Sequence, residues 1–426
     1  MITVMKVPAL IIFIITYVFM IVQPRRRVYA ALAAAVIFLA VGIVPIRQFF
    51  SVVDFNVLMM ISGMMITVSY FIASGMPMKI ADILLDKSKN LCMVTIFLSL
   101  FAGIISAFID NVATVLMVAP VALAIAKKQK VSPVPMIISI AVSSNLQGAA
   151  TLVGDTTSIL LGAYADMNFL DFFFMHGKAG IFWAVELGAV LTVPVMYLLF
   201  RHLKEPVSCD ERTAVRDYIP TAALLLTILV LIAASFIENK PRITNGLICL
   251  TFALLCLIID LIRHRDTANL MNALKEFDYQ TVILLASLFI VVDGISEVGI
   301  IEDISGLFVK FGGNNIFLLY TLIVWGSVAV SAFIDNIPYV SAMLPVIAGI
   351  CSLLHIEPYL LFFGLLTGAT LGGNLTPIGA SANITGIGIL RKQGCEVSNG
   401  DFMKISVPFT LVAVTAGYLF IWFVWH

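Results

Sequence analysis

Charge is scarce in this chain. Only 12% of its 426 residues are Asp, Glu, Lys or Arg, while 61% are hydrophobic and the mean hydropathy is +1.07. A water-soluble globule carries about 25% charged residues, so that class is excluded. Long hydrophilic stretches are missing too, and nothing between the apolar runs could form a soluble domain. The six cysteines (Cys92, Cys209, Cys249, Cys256, Cys351 and Cys395) show no paired spacing, which excludes a disulfide framework and a zinc knuckle. Neither a nucleophile with its base nor a metal cluster stands out, so no enzyme and no cofactor other than a bound Na⁺ is expected. The residue-by-residue alternation of a membrane barrel is lacking. The first apolar run has no small-residue cleavage site followed by a soluble region, and no removable signal peptide is expected. The formal net charge is zero; no nucleic-acid partner is expected.

What remains is a series of apolar runs of about 17 to 25 residues, the length of a membrane-spanning helix. They predict an all-α membrane protein, multi-pass in the inner (plasma) membrane, with lipid and a small ion as its partners. Helices are expected at 4–22, 28–46, 54–73, 91–126 with a break at Asp110-Asn111, 134–165 and 172–200. Residues 201–217 form a charged cytoplasmic linker. Beyond it the plan repeats at 218–237, 242–262, 278–297, 316–350 with a break at Asp335-Asn336, 358–390 and 402–424. Residues 1–200 and 218–426 are therefore two copies of one unit.

The duplication is visible in the letters. Ser106-Ala107-Phe108-Ile109-Asp110-Asn111-Val112 returns 225 positions later as Ser331-Ala332-Phe333-Ile334-Asp335-Asn336-Ile337. The same offset carries Thr151-Leu152-Val153-Gly154 onto Thr376-Pro377-Ile378-Gly379. The arms flanking Asp110 are marginal for two full crossings, and the connector between them is too short for a solvated loop. A re-entrant hairpin fits, its tip stopping inside the membrane where irregular backbone must be buried or line a cavity. Five crossings per half would invert the second copy, giving about ten spans in two inverted repeats, the arrangement of many secondary transporters. Lys and Arg test the topology. Nineteen of the 25 fall on the side holding Arg25, Arg26 and Arg27, and only Lys6, Arg47, Lys178, Lys240, Arg242 and Lys310 on the other. The first side is then cytoplasmic and both termini lie outside.

A carboxylate at the centre of an isolated membrane helix costs about 2.5–3.5 kcal/mol on insertion scales, so such residues usually line a pathway or find a partner. Asp110 and Asp335 occupy matched positions of this kind. Each is also the residue type that caps the next helical arm, a role compatible with ion binding. Two polar interruptions accompany them. One contains Asn145, Gly148, Thr151, Gly154 and Asp155; the other contains Gly373, Asn374, Thr376, Gly379, Ser381 and Asn383. Gly, Thr, Ser and Asn inside an apolar run unwind a helix and free its carbonyls and amides for a ligand. Oxygen ligands of this kind suit Na⁺ or a proton. Asp54 and Asp278 begin their spans and read as helix-entry caps at the interface. Asp293, Glu297 and Glu186 are intramembrane groups suited to a proton relay.

The hairpin motif S-A-F-I-D-N at Ser106–Asn111, the loop G-A-A-T-L-V-G-D at Gly148–Asp155 and its partner G-G-N-L-T-P-I-G-A-S-A-N at Gly372–Asn383 resemble the ion transporter superfamily, in particular the ArsB/NhaD permease group with its P protein branch and citrate transporter-like domain. The resemblance implies two inverted repeats, each with a re-entrant hairpin and an unwound helix, and a relation to the divalent anion sodium symporters, among which homodimers are common. It implies one sodium site from Asp110, Asn111, Gly148, Thr151 and Gly154, and a second from Asp335, Asn336, Gly373, Thr376 and Gly379, with substrate between them. Those symporters carry Ser-Asn-Thr at each tip; here both tips hold Asp-Asn, and no Lys or Arg lies in either motif to clamp a polycarboxylate. The expected function is ion-coupled secondary transport of a small inorganic or organic anion. Na⁺/H⁺ antiport and arsenite or antimonite efflux are the alternatives. An ion channel is disfavoured because the polar residues are concentrated at midplane rather than along a continuous path.

Overall fold

The computed structural model describes residues 2–85, 88, 90–206, 213–264, 268–313 and 315–426. Lys87, Lys89, Arg212 and Arg265 of the charge count, Cys209, and residues 207–212 of the expected linker lie outside the described residues. The described chain is almost wholly helical. Setting aside two short helices, Phe49–Val52 and Ala268–Glu276, the described helices fall into two sets of nine. The first set is α1 (Ile2–Val22), α2 (Arg27–Val41), α3 (Phe55–Ala73), α4 (Met76–Leu85), α5 (Leu91–Ser106), α6 (Asn111–Gln129), α7 (Val134–Gln147), α8 (Thr156–Tyr164) and α9 (Ile181–Phe200). The second is α10 (Ile219–Ser235), α11 (Thr244–His264), α12 (Tyr279–Glu297), α13 (Ile300–Gly312), α14 (Ile316–Ser331), α15 (Asn336–Leu354), α16 (Tyr359–Gly372), α17 (Ser381–Lys392) and α18 (Asn399–Trp425).

Each element of the first set has its counterpart nine helices on, and the packing repeats in the same way. α3 lies along α11 as α12 lies along α2; α5 lies along α7 as α14 lies along α16; α6 meets α17 as α15 meets α8. In the first and third of these packings the partners are exchanged between halves, so neither half is a separate body, and one hydrophobic core runs through both.

Eight of the described helices are long and apolar enough to cross a membrane, nine if α13 and α14 count as one bent span. The eight include two hairpin arms, α6 and α15, and leave out α2 and α10, which at 15 and 17 residues span about 23 and 26 Å at 1.5 Å per residue, less than the hydrocarbon thickness of about 30 Å. Three other short apolar helices, α5, α7 and α16, are arms of interrupted elements. The sequence also overlooks α4 and α13. These are one-sided helices whose charged residues, Lys79 and Asp82 or Glu302, Asp303 and Lys310, make them read as loops. A span expected to begin at 172 begins at Ile181. Before it, Phe174–Met175 pairs with Lys178–Ala179 as a two-residue hairpin, turned by His176 and Gly177 with φ of +53° and +74°, the left-handed conformation such a turn requires.

Helices α3 and α11 approach almost backbone to backbone. A Cβ on Gly63 would stand 2.4 Å from the carbonyl carbon of Cys249, and small residues are what permit such contacts between membrane helices. Gly63→Ala is therefore expected to separate the pair and cost about 1–3 kcal/mol, read as a clear fall in the melting temperature of the detergent-purified protein.

Candidate substrate and cation site

Between α5 and α6 the backbone leaves the helix for four residues and re-enters under a cap. Asp110 Oδ1 accepts from the amides of Val112 and Ala113 at 2.9 and 3.2 Å, satisfying two of the donors that every helix start leaves open. Asn111 then turns inward. Its Oδ1 accepts from Ser106 Oγ at 2.8 Å and its Nδ2 donates to Asn145 Oδ1 at 3.2 Å. Helix α7 ends at Gln147, and the chain runs without helix to Asp155, which caps α8 by accepting from the Thr156 amide at 2.7 Å and Thr157 Oγ1 at 2.8 Å. The Thr151 hydroxyl ties this segment to the hairpin by donating to the Ala107 carbonyl.

The second half repeats the design. Asp335 Oδ1 accepts from the Ile337 amide at 3.2 Å, Asn336 Oδ1 accepts from Ser331 Oγ, and the Thr376 hydroxyl donates to the Ala332 carbonyl. Asn383 Nδ2 holds the unwound strand from below, donating to the carbonyls of Gly373 and Thr376 at 3.1 Å each. The halves are stitched together at the interruptions. Asn145 Nδ2 donates to the Thr370 carbonyl at 2.6 Å and Asn374 Nδ2 to the Val142 carbonyl at 2.9 Å.

Three main-chain oxygens converge on each motif glycine. A Cβ on Gly154 would lie 2.8 Å from the oxygens of Ala107 and Gly148 and 3.0 Å from that of Ser106; on Gly379 the distances to Gly373, Ala332 and Ser331 oxygens would be 2.6, 2.7 and 2.7 Å. Only glycine lets hairpin and unwound strand approach this closely. Among the described residues no group of three or more His, Cys, Asp and Glu is placed to hold a metal ion. The available donors are hard oxygens, which match Na⁺ rather than a transition metal.

Both tips open into one cavity of about 480 Å³. Asp110, Asn111, Asn145, Gly154, Asp155, Asp335, Asn336 and Ser381 line it; Gly148, Thr151, Gly373, Asn374, Thr376, Gly379 and Asn383 do not, and instead support the strands behind it. Asp278 also lines the cavity. It caps α12 as expected, accepting from the Thr281 amide at 3.1 Å, but it faces the two tips as well as the helix entrance. Arg27 is the residue that sequence reasoning missed. It stands at the start of α2, and its Nη1 lies 2.5 Å from Asp335 Oδ2. Glu276 completes the charged lining, accepting from Ser69 Oγ at 2.7 Å. Among the described residues, five carboxylates thus face one guanidinium.

A second cavity, of about 320 Å³, lies at the other end of α3 and is lined by Asp54, Asp166, Glu238, Lys240 and Arg242 among others. The two cavities share segments of their lining. Leu152 faces one cavity and its neighbour Val153 the other, and Met60 and Ile61 divide in the same way.

A family model described as citrate transporter, CitMHS, matches residues 17–365. The chain belongs to the citrate transporter family. It is accordingly a multi-pass membrane transporter and not an enzyme. Within this reach, a transporter of Mycobacterium tuberculosis is 29% identical over 435 residues, covering 98% of both chains. The human P protein is 26% identical over 447 residues, covering 86% of this chain and 53% of that protein. Among solved structures, the YdaH transporter of Alcanivorax borkumensis superposes with a TM-score of 0.57 at 16% identity, covering 86% of this chain and 84% of that one. MtrF of Neisseria gonorrhoeae gives 0.55 at 15%, covering 91% and 83%. Citrate transporter family membership agrees with the resemblance carried by the hairpin and loop motifs, and the two solved transporters share the fold.

Proposed function

We propose that this protein is an ion-coupled secondary active transporter that carries a small anion across the inner membrane by alternating access. Na⁺ or H⁺ binds at the hairpin tips. The observation that carries the reading is the pair of cavities at opposite ends of α3, one of them reaching both Asp-Asn tips and separated from the other by Met60, Ile61, Leu152 and Val153. An occludable midplane site of this form is what alternating access requires. The two halves are inverted repeats, the arms around Asp110 and Asp335 are re-entrant hairpins, and the excess of Lys and Arg places the Arg27 side in the cytoplasm. On that assignment the larger cavity faces inward. A carboxylate-bearing anion such as citrate is the substrate class the family description favours.

A second reading has one observation in its favour. Five carboxylates against one guanidinium is a lining suited to cations, as a Na⁺/H⁺ antiporter would need. One experiment separates the two. Purified protein in liposomes is given a sodium or a proton gradient, and flux of labelled citrate, of arsenite and of the cation itself is followed. Gradient-driven citrate uptake is expected; cation exchange with no solute flux would establish the antiporter, and arsenite extrusion the efflux permease.

A further inference from the structure

The two tips, alike in sequence, differ in what neutralises them. Asp335 has three kinds of partner: the Ile337 amide at 3.2 Å, Ser381 Oγ at 3.0 Å and the Arg27 guanidinium at 2.5 Å. That pair is largely shielded, with 21% and 16% of the two side chains exposed. Asp110 has only the amides of Val112 and Ala113, both on one carboxylate oxygen, and no ion pair among the described residues. The asymmetry is built into the chain. Arg27 opens α2, whereas its counterpart α11 opens with Thr244. The nearest basic residue there, Arg242, lines the smaller cavity with Asp54, away from Asp110.

Other acidic groups sharing the large cavity are already held by neutral donors. Asp155 accepts from Thr156 and Thr157, Asp278 from the Thr281 amide and hydroxyl, and Glu276 from Ser69. Each of the three already has donors within the protein. A cation arriving at Asp335 must displace a guanidinium that is charge-paired at hydrogen-bond distance and would strand it, half-desolvated, inside the protein. One arriving at Asp110 displaces no ion pair among the described residues.

We propose that the tips divide the work: Asp110 carries the exchangeable cation, while Arg27 acts at Asp335 as a tethered cation that takes the place of a second transported one. The inference rests on the reading that a cation couples transport at these tips, and it fixes the coupling at one cation per cycle there.

The test measures melting temperature of the full-length protein against Na⁺, with N-methylglucamine keeping ionic strength constant, and separately against pH. Whichever cation stabilises the wild type is expected to do so with single-site saturation. Asp335→Asn should keep that midpoint, and Asp110→Asn, which retains a capping oxygen, should weaken it by about a hundredfold or more. Arg27→Gln should add a second saturable phase that disappears in the Arg27→Gln, Asp335→Asn double variant, and Arg27→Lys should restore the single phase. Two phases in the wild type, or a cation dependence lost with Asp335 and kept without Asp110, would overturn the division while leaving cation coupling intact. A dependence that survives in both single carboxylate variants, or no dependence on either cation, would remove the coupling site itself. Should Arg27→Gln not fold, the wild-type phase count and the two Asp→Asn variants decide the matter alone.

Discussion

Replacing Asp110 with alanine is expected to abolish ion-coupled transport and leave a folded protein. The two roles of this residue separate by magnitude. As a cap it satisfies the amides of Val112 and Ala113, and losing an N-cap costs about 1 kcal/mol. The orphaned amides border a cavity that water can enter, so the loss stays small. As a charge, a carboxylate about 4 Å from a monovalent cation contributes about 4 kcal/mol at an effective dielectric of about 20. Removing it weakens the cation by roughly three orders of magnitude, since each 1.4 kcal/mol is about tenfold. Flux in liposomes should therefore vanish at cation concentrations that saturate the wild type, while the melting temperature in the absence of cation falls only slightly. Wild-type flux in Asp110→Ala would place the coupling site elsewhere.

Gly379→Ala is expected to do the opposite and fail structurally. The new methyl would need to occupy space 2.6–2.7 Å from three carbonyl oxygens. All three are main-chain oxygens, and two are pinned by further bonds: the Thr376 hydroxyl holds Ala332 in place and Asn383 holds Gly373. None can retreat as a side chain could. Relief requires the unwound strand to move off the hairpin, dismantling the cluster of oxygens and costing about 3 kcal/mol or more. Gly154→Ala, whose contacts would be 2.8–3.0 Å, should follow the same course less severely. Gly388 in α17 has nothing within 4 Å of an added Cβ, so Gly388→Ala serves as the control and should be neutral or slightly stabilising. Size-exclusion profiles, melting temperature and flux on the three variants would give the order; a Gly379→Ala protein as stable and active as the control would show that the close approach is not needed.

The repeated heptapeptide and the polar interruptions were legible because their information is local. A carboxylate and an amide in an apolar run, followed by an uninterrupted helix, read as a cap and a break in the chain alone, and the structure has both at Asp110 and Asp335. Asp54 and Asp278 were legible as caps for the same reason. Arg27 was not. It lies in a basic triplet that reads as a cytoplasmic loop, and its partner is more than 300 residues away; only the packing of α2 against α12 brings it to the second tip. The second function of Asp278, as a cavity wall, is hidden by the same kind of distance. Helices α4 and α13 escaped because a one-sided helix of this length, bearing charges, has neither the unbroken apolarity of a span nor enough turns to establish a period. The hairpin turned by His176 and Gly177 carries a signal in its glycine, masked by the aromatic residues around it.

The wall formed by Leu152, Val153, Met60 and Ile61 has an electrical consequence. In an energised membrane the potential drops where water and mobile ions are excluded. If the two cavities are water-filled on opposite sides, the field is concentrated across the residues that separate them rather than across the full hydrocarbon thickness. A single charge crossing there is worth about 2.3 kcal/mol per 100 mV. On the proposed coupling, an empty Asp110 would carry its negative charge through that field, whereas Asp110 holding one monovalent cation would cross as a neutral pair. On the same coupling, both the return of the unloaded carrier and the passage of the carried anion would then be sensitive to membrane voltage.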